Sequence, residues 1–217
     1  IFLENVKNLL RHDHGKTIKT VSEILASIGY KNSYIEILDS SHYGVPQHRE
    51  RVFIVCFRDD LNIKNFTFPK PSFSEICLND ILESDLLTDQ FIIRRKDIVF
   101  KNDNKPLKKD LFGKSKLRPL RIGTINKGGQ GERIYSSDGH AITLSAYGGG
   151  VAGKTGAYLI NKKVRQLSPR ECLRVQGFPE TFSFPKKITK SQAYKMCGNS
   201  VSVPVIKSIY EQILRFI

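Results

Sequence analysis

The chain has 217 residues, 40% of them hydrophobic, and carries 35 Lys and Arg against 21 Asp and Glu, a formal net charge of +14 with a pI near 9.7. That length and apolar content exclude a disordered chain and support one good core or two smaller ones, while the charge points to a polyanionic partner, nucleic acid first, over a merely solvated cationic surface. No apolar stretch approaches the roughly 20 residues that span a bilayer and no signal peptide precedes the first motif, so a cytoplasmic protein is expected, without a membrane partner.

In chain order, Ile1 to Val6 is an apolar run ending in a polar pair. It reads as a buried parallel strand that presents Glu4 and Asn5 at its C-terminal end, where ligand groups sit in open sheets. From Thr17 onward, Ile18, Val21, Ile24, Leu25 and Ile28 share one helical face, with Gly29 as the stop. Tyr34 to Leu38 and Arg51 to Phe57 read as strands, joined by a segment carrying Gly44, Pro46 and Gln47-His48-Arg49-Glu50-Arg51. Strand, helix, strand, loop, strand implies an α/β sheet. Past Asp60 the character changes: Pro69 and Pro71 interrupt the pattern, and Arg94 to Arg121 holds eleven Lys and Arg against three Asp, so a domain boundary falls near residue 65. Between Ile122 and Leu159, strand-like pieces (Ala141 to Leu144, Tyr158 to Ile160) lie among Gly clusters, which predicts irregular β-structure with long loops of the kind that read ligands. Ser168 is placed to cap a helix with Pro169 in its first turn, ended by Gly177 and Pro179, and a last helix runs from about Pro204 to Phe216.

Cys56, Cys77, Cys172 and Cys197 show neither C-x-x-C spacing nor a matched His cluster. No metal site or disulfide framework is expected, and all four read as structural thiols. The sole methionine is Met196 and the chain opens on Ile1, so a cut, processed or truncated chain is expected.

The residues with chemical potential fall into short motifs. Glu4 either serves a ligand at its strand end, caps the following helix, or pairs with a nearby Lys. Arg49 and Arg51 alternate onto one side of their strand and can act together, or form a surface cluster with Glu50. With one helix and one strand between them, Glu4 and Arg51 can meet above a single sheet. Gly148 to Thr155 satisfies the Walker A pattern G-x-x-x-x-G-K-[ST] letter for letter. The next residues, Gly156-Ala157-Tyr158-Leu159-Ile160, are strand-like where that motif needs a helix, so a phosphate-binding loop is rejected and Lys154 is left to a DNA phosphate or solvent. The basic run Arg94 to Arg121 suits backbone contacts to a duplex, or is a solvated surface. Arg165 to Pro179, with Arg170, Glu171 and Arg174 at helical spacing, reads as scaffold.

The Glu-Asn-Val block at residues 4–6, the Gln-x-Arg-x-Arg block at 47–51, the Arg-Glu-x-x-Arg-x-x-Gly-Phe-Pro block at 170–179 and Gly198-Asn199-Ser200-Val201 resemble the bacterial DNA cytosine-5 methyltransferases in order and spacing, over nearly the whole chain. The resemblance implies the C-terminal part of a Rossmann-like methyltransferase sheet (1–65), a smaller, irregular β-rich target-recognition domain (66–197), and a C-terminal segment and helix returning to the catalytic domain (198–217). Neither a Pro-Cys-Gln nucleophile loop nor a Gly-rich cofactor strand is present, so the chain alone is expected to be inactive. Its expected partners are duplex DNA and an N-terminal half or subunit of the same enzyme, in a bacterial restriction-modification setting.

Carried over, Glu4 would bind the cytosine N3 edge, Arg51 would contact the base, and Asn5 and Arg49 would position the catalytic loop and Glu4. Asn199 and Ser200 would line part of the pocket for S-adenosylmethionine, whose remainder lies elsewhere. The stretches 127–136 and 141–150 resemble the recognition loops of the family member that methylates GCGC. By that likeness Gln130 would enter the duplex beside the orphaned guanine, while Arg133, Tyr147 and the Gly150 backbone read neighbouring bases. A non-catalytic DNA-binding module and an RNA cytosine-5 methyltransferase are the alternatives. Retention of Glu4 and Arg51 disfavours the first, and the GCGC-like loops disfavour the second.

Overall fold

The computed structural model describes residues 1–72, 75–101 and 117–217, arranged about two sheets. The first contains β1 (Phe2–Val6), β2 (Asn32–Asp39) and β3 (Glu50–Phe57), in the order β1-β3-β2, with α1 (Lys16–Ser27) between β1 and β2 in sequence. β3 sits in the middle because its sequence has no polar face: Val52 through Phe57 are all buried. Phe53, Val55 and Phe57 join one core, Ile54 and Cys56 the other, the latter against Leu25, Ile18 and Val21 of α1. Since β3 is antiparallel to both neighbours, β1 and β2 run in the same direction, and α1 is their crossover with β3 inserted between them.

Two expectations fail here. β1 is not a buried parallel strand; among the described residues it is an antiparallel edge strand, with Phe2, Leu3 and Val6 exposed. α1 reaches the sheet through Ile18, Val21 and Leu25, leaving Ile24 and Ile28 of the same apolar stripe in the open. Gly29 does end the helix, adopting a left-handed φ of 90° and returning its N–H to Ala26 O.

After the one-turn helix α2 (Asp85–Thr88), the second sheet holds β4 (Ile98–Phe100), β5 (Arg121–Ile125), β6 (Arg133–Ser136), β7 (Ala157–Ile160) and β8 (Lys163–Gln166), in sequence order across the sheet. β6 and β7 are parallel, and the other pairs are antiparallel. Ala141 to Leu144 is not a strand. Ala141 bridges Gln47 of the first unit, exchanging bonds with Pro46 O (2.7 Å) and His48 N (3.0 Å), while Ile142 N turns to the Tyr158 hydroxyl (3.0 Å). Of the basic run, residues 102–116 lie outside the described residues.

Three helices complete the chain: α3 (Pro169–Val175), α4 (Lys190–Asn199) and α5 (Val203–Ile213). Ser168 caps α3 as expected, in a reciprocal box with Glu171. α4 was not anticipated, although Thr189 and Gln192 form the same kind of box at its start. α5 stops three residues short of the expected Phe216, and returns Val205 and Ile209 to the first core beside Phe66.

The second unit is pinned by an ion pair with almost no solvent. Arg165 donates twice to Glu171, at 2.7 Å each, and the same carboxylate accepts from the backbone N–H of Ser168 (2.7 Å) and Glu83 (2.9 Å). This fits the scaffold role read for the block around Glu171. Arg165→Met would leave an uncompensated buried carboxylate and should lower stability by about 3–5 kcal/mol. Adding Glu171→Gln, which removes the charge and keeps one oxygen as acceptor for one of the two amides, should recover part of that loss in urea unfolding. A double variant no more stable than the single one would contradict the account.

Candidate active site

The antiparallel register sets Glu4 opposite Phe53 and Val6 opposite Arg51. Glu4 and Arg51 are therefore diagonal neighbours on one face, a separation that long side chains bridge. Arg51 Nε lies 3.2 Å from Glu4 Oε1, and its Nη1 donates to Glu50 O at 2.8 Å. Glu4 is thus paired with an arginine rather than a lysine or a helix cap, and Glu50 pairs with Lys7 instead of clustering with the two arginines. The Glu4 side chain keeps 25% of its exposure, so the site is open on this side and not the buried strand end expected. Burial pushes the Arg51 guanidinium below its ordinary range, with Glu4 opposing the shift.

Arg49 does not reach Glu4. Its guanidinium is buried and donates to Leu144 O (3.3 Å), Gly198 O (3.2 Å) and Ser200 O (2.6 Å). Burial first, then the nearby Arg51 charge, lowers it to about 10 against the pull of Glu4, which leaves it charged at neutral pH. The expected role of holding Glu4 is therefore replaced by holding the Gly198-Asn199-Ser200 turn. Asn5 is exposed, and its Oδ1 accepts from Val6 N at 2.8 Å. Gln47 is fully buried, with neither amide atom partnered among the described residues, a cost tolerated most often next to functional sites.

Sequence reasoning missed His48 and Asp39, whose spacing of nine gives no signal. Asp39 accepts from His48 Nδ1, from Arg49 N (3.0 Å) and from Ser41 N (3.1 Å). Burial raises the Asp39 carboxyl, but the His48 hydrogen bond and the two amides outweigh it and bring the group to about 2. The same bond to Asp39 raises His48 against its partial burial.

The two Gly-rich stretches are packed backbone to backbone. A Cβ on Gly131 would meet Gly149 O at 1.9 Å, and one on Gly148 would meet Gly153 O at 1.9 Å. Ala152 N closes the contact on Gly131 O at 2.9 Å. Only glycine permits this approach. It brings Gln130, Tyr147 and Gly150 out as exposed residues on adjoining loops, with Tyr147 76% exposed under Lys195 (5.0 Å from its ring) and Gly150 at a φ of 85°. Arg133 opens β6 half-buried, with its Nε unpartnered among the described residues. No helix follows Lys154-Thr155, since the chain turns directly into β7, and Lys154 Nζ donates to Ser191 Oγ at 2.8 Å. Asn199 is exposed, and the Ser200 hydroxyl donates to Cys197 O at 2.8 Å. Cys56, Cys172 and Cys197 are buried free thiols, and Cys77 is partly exposed.

Residues 1–215 match the family model described as C-5 cytosine-specific DNA methylase. The chain belongs to that family. Over 209 residues it is 44% identical to the type II methyltransferase M.HhaI of Haemophilus parahaemolyticus, covering 96% of this chain and 61% of that protein. Over 219 residues it is 36% identical to M.Bsp6I of a Bacillus species, covering 99% and 65%. The chain thus spans about three fifths of the length of these curated relatives. Solved structures of the Entamoeba histolytica methyltransferase EhMeth and of S. pombe Dnmt2 share the fold, each with a TM-score of 0.69 at 20% identity, over 99% of this chain and 62% and 64% of theirs. No helix among the described residues is long and apolar enough to cross a membrane.

The Asp39–His48 pair gives this methylase chain a pH signature. Asp39 is depressed from 3.8 to about 2, so its stabilisation is present above pH ~4 and lost as pH falls toward 2. His48 is raised above 6.5, so its share is present below pH 6.5 and lost as pH climbs through the raised value. His48→Gln should therefore lower the melting temperature most between about pH 4 and 6.5, the gap to the parent narrowing on either side. A gap independent of pH would mean that the ring acts by packing alone.

Proposed function

We propose that this chain is the base-recognising and DNA-reading part of a DNA cytosine-5 methyltransferase that transfers the methyl group of S-adenosylmethionine to C5 of a flipped cytosine. The observation that carries the reading is the Glu4–Arg51 pair on one open sheet face, in a chain of this family. Addition of a thiolate to C6 of cytosine sends electron density toward N3 and O2. A carboxyl at N3 and a guanidinium at O2 meet that density, and Glu4 and Arg51 stand close enough to serve one pyrimidine edge together. Asn199 and Ser200 supply one polar wall of the cofactor site rather than a pocket, since the cavity that includes Ser200 is otherwise lined by apolar residues and a thiol. Bound there, S-adenosylmethionine supplies the methyl group.

The nucleophilic Cys and the rest of that pocket belong to a segment outside this chain. Its docking on β1 is supported by the strand edge, which is unpaired among the described residues, and by the exposed Phe2, Leu3, Ile35 and Ile37 of the first sheet. We assign residues 1–65 to the catalytic domain, 66–197 to the recognition domain and 198–217 to the return to the first. GCGC is the proposed target, with Gln130 filling the vacated stack and Arg133, Tyr147 and Gly150 reading its neighbours. A bacterial cytoplasm beside a restriction system is the proposed setting.

Transfer of labelled methyl to a GCGC duplex and to a scrambled one tests this, with the chain alone and mixed with the N-terminal part of M.HhaI. Methylation in the mixture alone, and on GCGC alone, is expected. Glu4→Gln should then lower the single-turnover rate by about 10²–10⁴-fold at unchanged duplex affinity. Duplex binding without transfer under any mixture would reduce the chain to a non-catalytic binding module.

A further inference from the structure

Gln130 is exposed, so the direction of its side chain is set by the backbone on either side of it. On the C-terminal side Gly131 is clamped to the second Gly-rich loop, with Ala152 N donating to Gly131 O at 2.9 Å and Gly149 O leaving no room for a Cβ. On the N-terminal side the hold comes from a carboxylate. Glu132 closes a tight turn over Gln130, its N–H donating to Gly129 O at 2.9 Å and its Oε2 accepting from Gly129 N at 3.0 Å. The other oxygen, Oε1, accepts from Asn126 Nδ2 at 2.9 Å, across the hairpin that joins β5 to β6.

Asn126 suits this place in two ways. Its φ of 49° is left-handed, a conformation that asparagine adopts more readily than any larger side chain. Both of its donors are also used: the backbone N–H goes to Asp97 O at 3.3 Å, just ahead of β4, and the side-chain amide goes to Glu132. Glycine would accept the backbone but has no amide to give. Aspartate would accept it too, but would set a second carboxylate against the first. The Asn126 bond, then the Gly129 amide, hold the Glu132 carboxyl below its ordinary range, so the brace is closed at neutral pH.

We propose that Asn126 is a positioning residue for sequence reading: acting through Glu132, it fixes the turn that presents Gln130 to the duplex and so sets how sharply the chain tells its target from other DNA. A loop released from the brace must be ordered on binding, which weakens the complex that uses Gln130. Attraction to phosphates is indifferent to that loop, so binding to unrelated DNA is untouched. The effect on discrimination rests on the function proposed above, whereas the brace itself does not.

Two measurements on the full chain test this: hydrogen exchange at the Gly129 amide by NMR, and affinity for a GCGC and a scrambled duplex by fluorescence anisotropy. Asn126→Gly should speed the exchange and lower the ratio of the two affinities, each by about 3- to 10-fold, with scrambled binding and melting temperature unchanged. Asn126→Asp should act in the same direction. Adding Glu132→Gln to it, whose amide donates to the new carboxylate while its oxygen still accepts from Gly129 N, should restore both readings. The proposal is overturned if Gly129 exchanges at the parental rate in Asn126→Gly, if exchange quickens while the affinity ratio stays parental, or if the double variant is no better than Asn126→Asp. A parent chain that binds both duplexes alike would count against the function proposed above, and the exchange rates and their rescue would then decide the brace alone.

Discussion

The buried guanidinium of Arg49 is the constraint on which the two units depend. Enclosing such a charge without a carboxylate costs several kcal/mol unless its donors are met, and here carbonyl oxygens from two remote segments meet both terminal nitrogens, Nε alone having no hydrogen-bond partner among the described residues. Gly198 O and Ser200 O stand at the C-terminal end of α4, where the helix leaves its carbonyls unsatisfied and partially negative. A cation therefore completes the helix end while the helix end neutralises the cation. Leu144 O brings the strap between the Gly-rich loops into the same junction, and the absence of a Cβ at Gly198 lets that strap lie against the turn. The residue just before β3 thus fixes both the last motif and the base of a Gly-rich loop.

Arg165 solves the same desolvation problem by the opposite route. Its partner Glu171 is saturated by two guanidinium and two amide donors, so the pair is neutral, and the one carbonyl that Arg165 meets, Gln166 O at 2.9 Å, belongs to the adjacent residue and not to a remote segment. This suits a scaffold. Arg49, just before β3, and Arg51, near its start, differ in the same way: the first is held by backbone acceptors, while the second keeps one carboxylate on a face that is still open.

The sequence made legible whatever its side chains alone determine. β3 was evident because a strand covered on both faces must be apolar throughout, and the Glu4–Arg51 meeting followed from strand order and alternation. β1 is read as buried because Phe2, Leu3 and Val6 are apolar, yet all three are exposed, and an apolar run does not by itself say whether its faces are covered. β5 escaped notice because Gly123 interrupts Arg121-Ile122-Gly123-Thr124-Ile125, yet a Cβ there would sit 2.6 Å from Val99 O. α4 escaped because it buries only Ala193, Tyr194, Cys197 and Gly198, too few for an apolar stripe, although its capping box was there to be read. The partners of Arg49 were illegible in principle: carbonyl oxygens belong to every residue and leave no mark in a sequence.

The charge balance has the same structural logic. Glu4, Asp39, Glu50, Asp60, Asp89, Asp97, Glu171 and Glu180 each lie within ion-pair reach of a basic side chain of the same fold. These eight acids are engaged internally, several of them by arginines, while the chain as a whole keeps a net charge of +14. A surplus of that kind attracts any polyanion and does so in a salt-dependent way, without regard to sequence. Among the residues that the glycine-packed loops hold out, Gln130 and Tyr147 are exposed and uncharged, so they add little to that general attraction and offer hydrogen-bonding groups that a base edge can match as well as a phosphate.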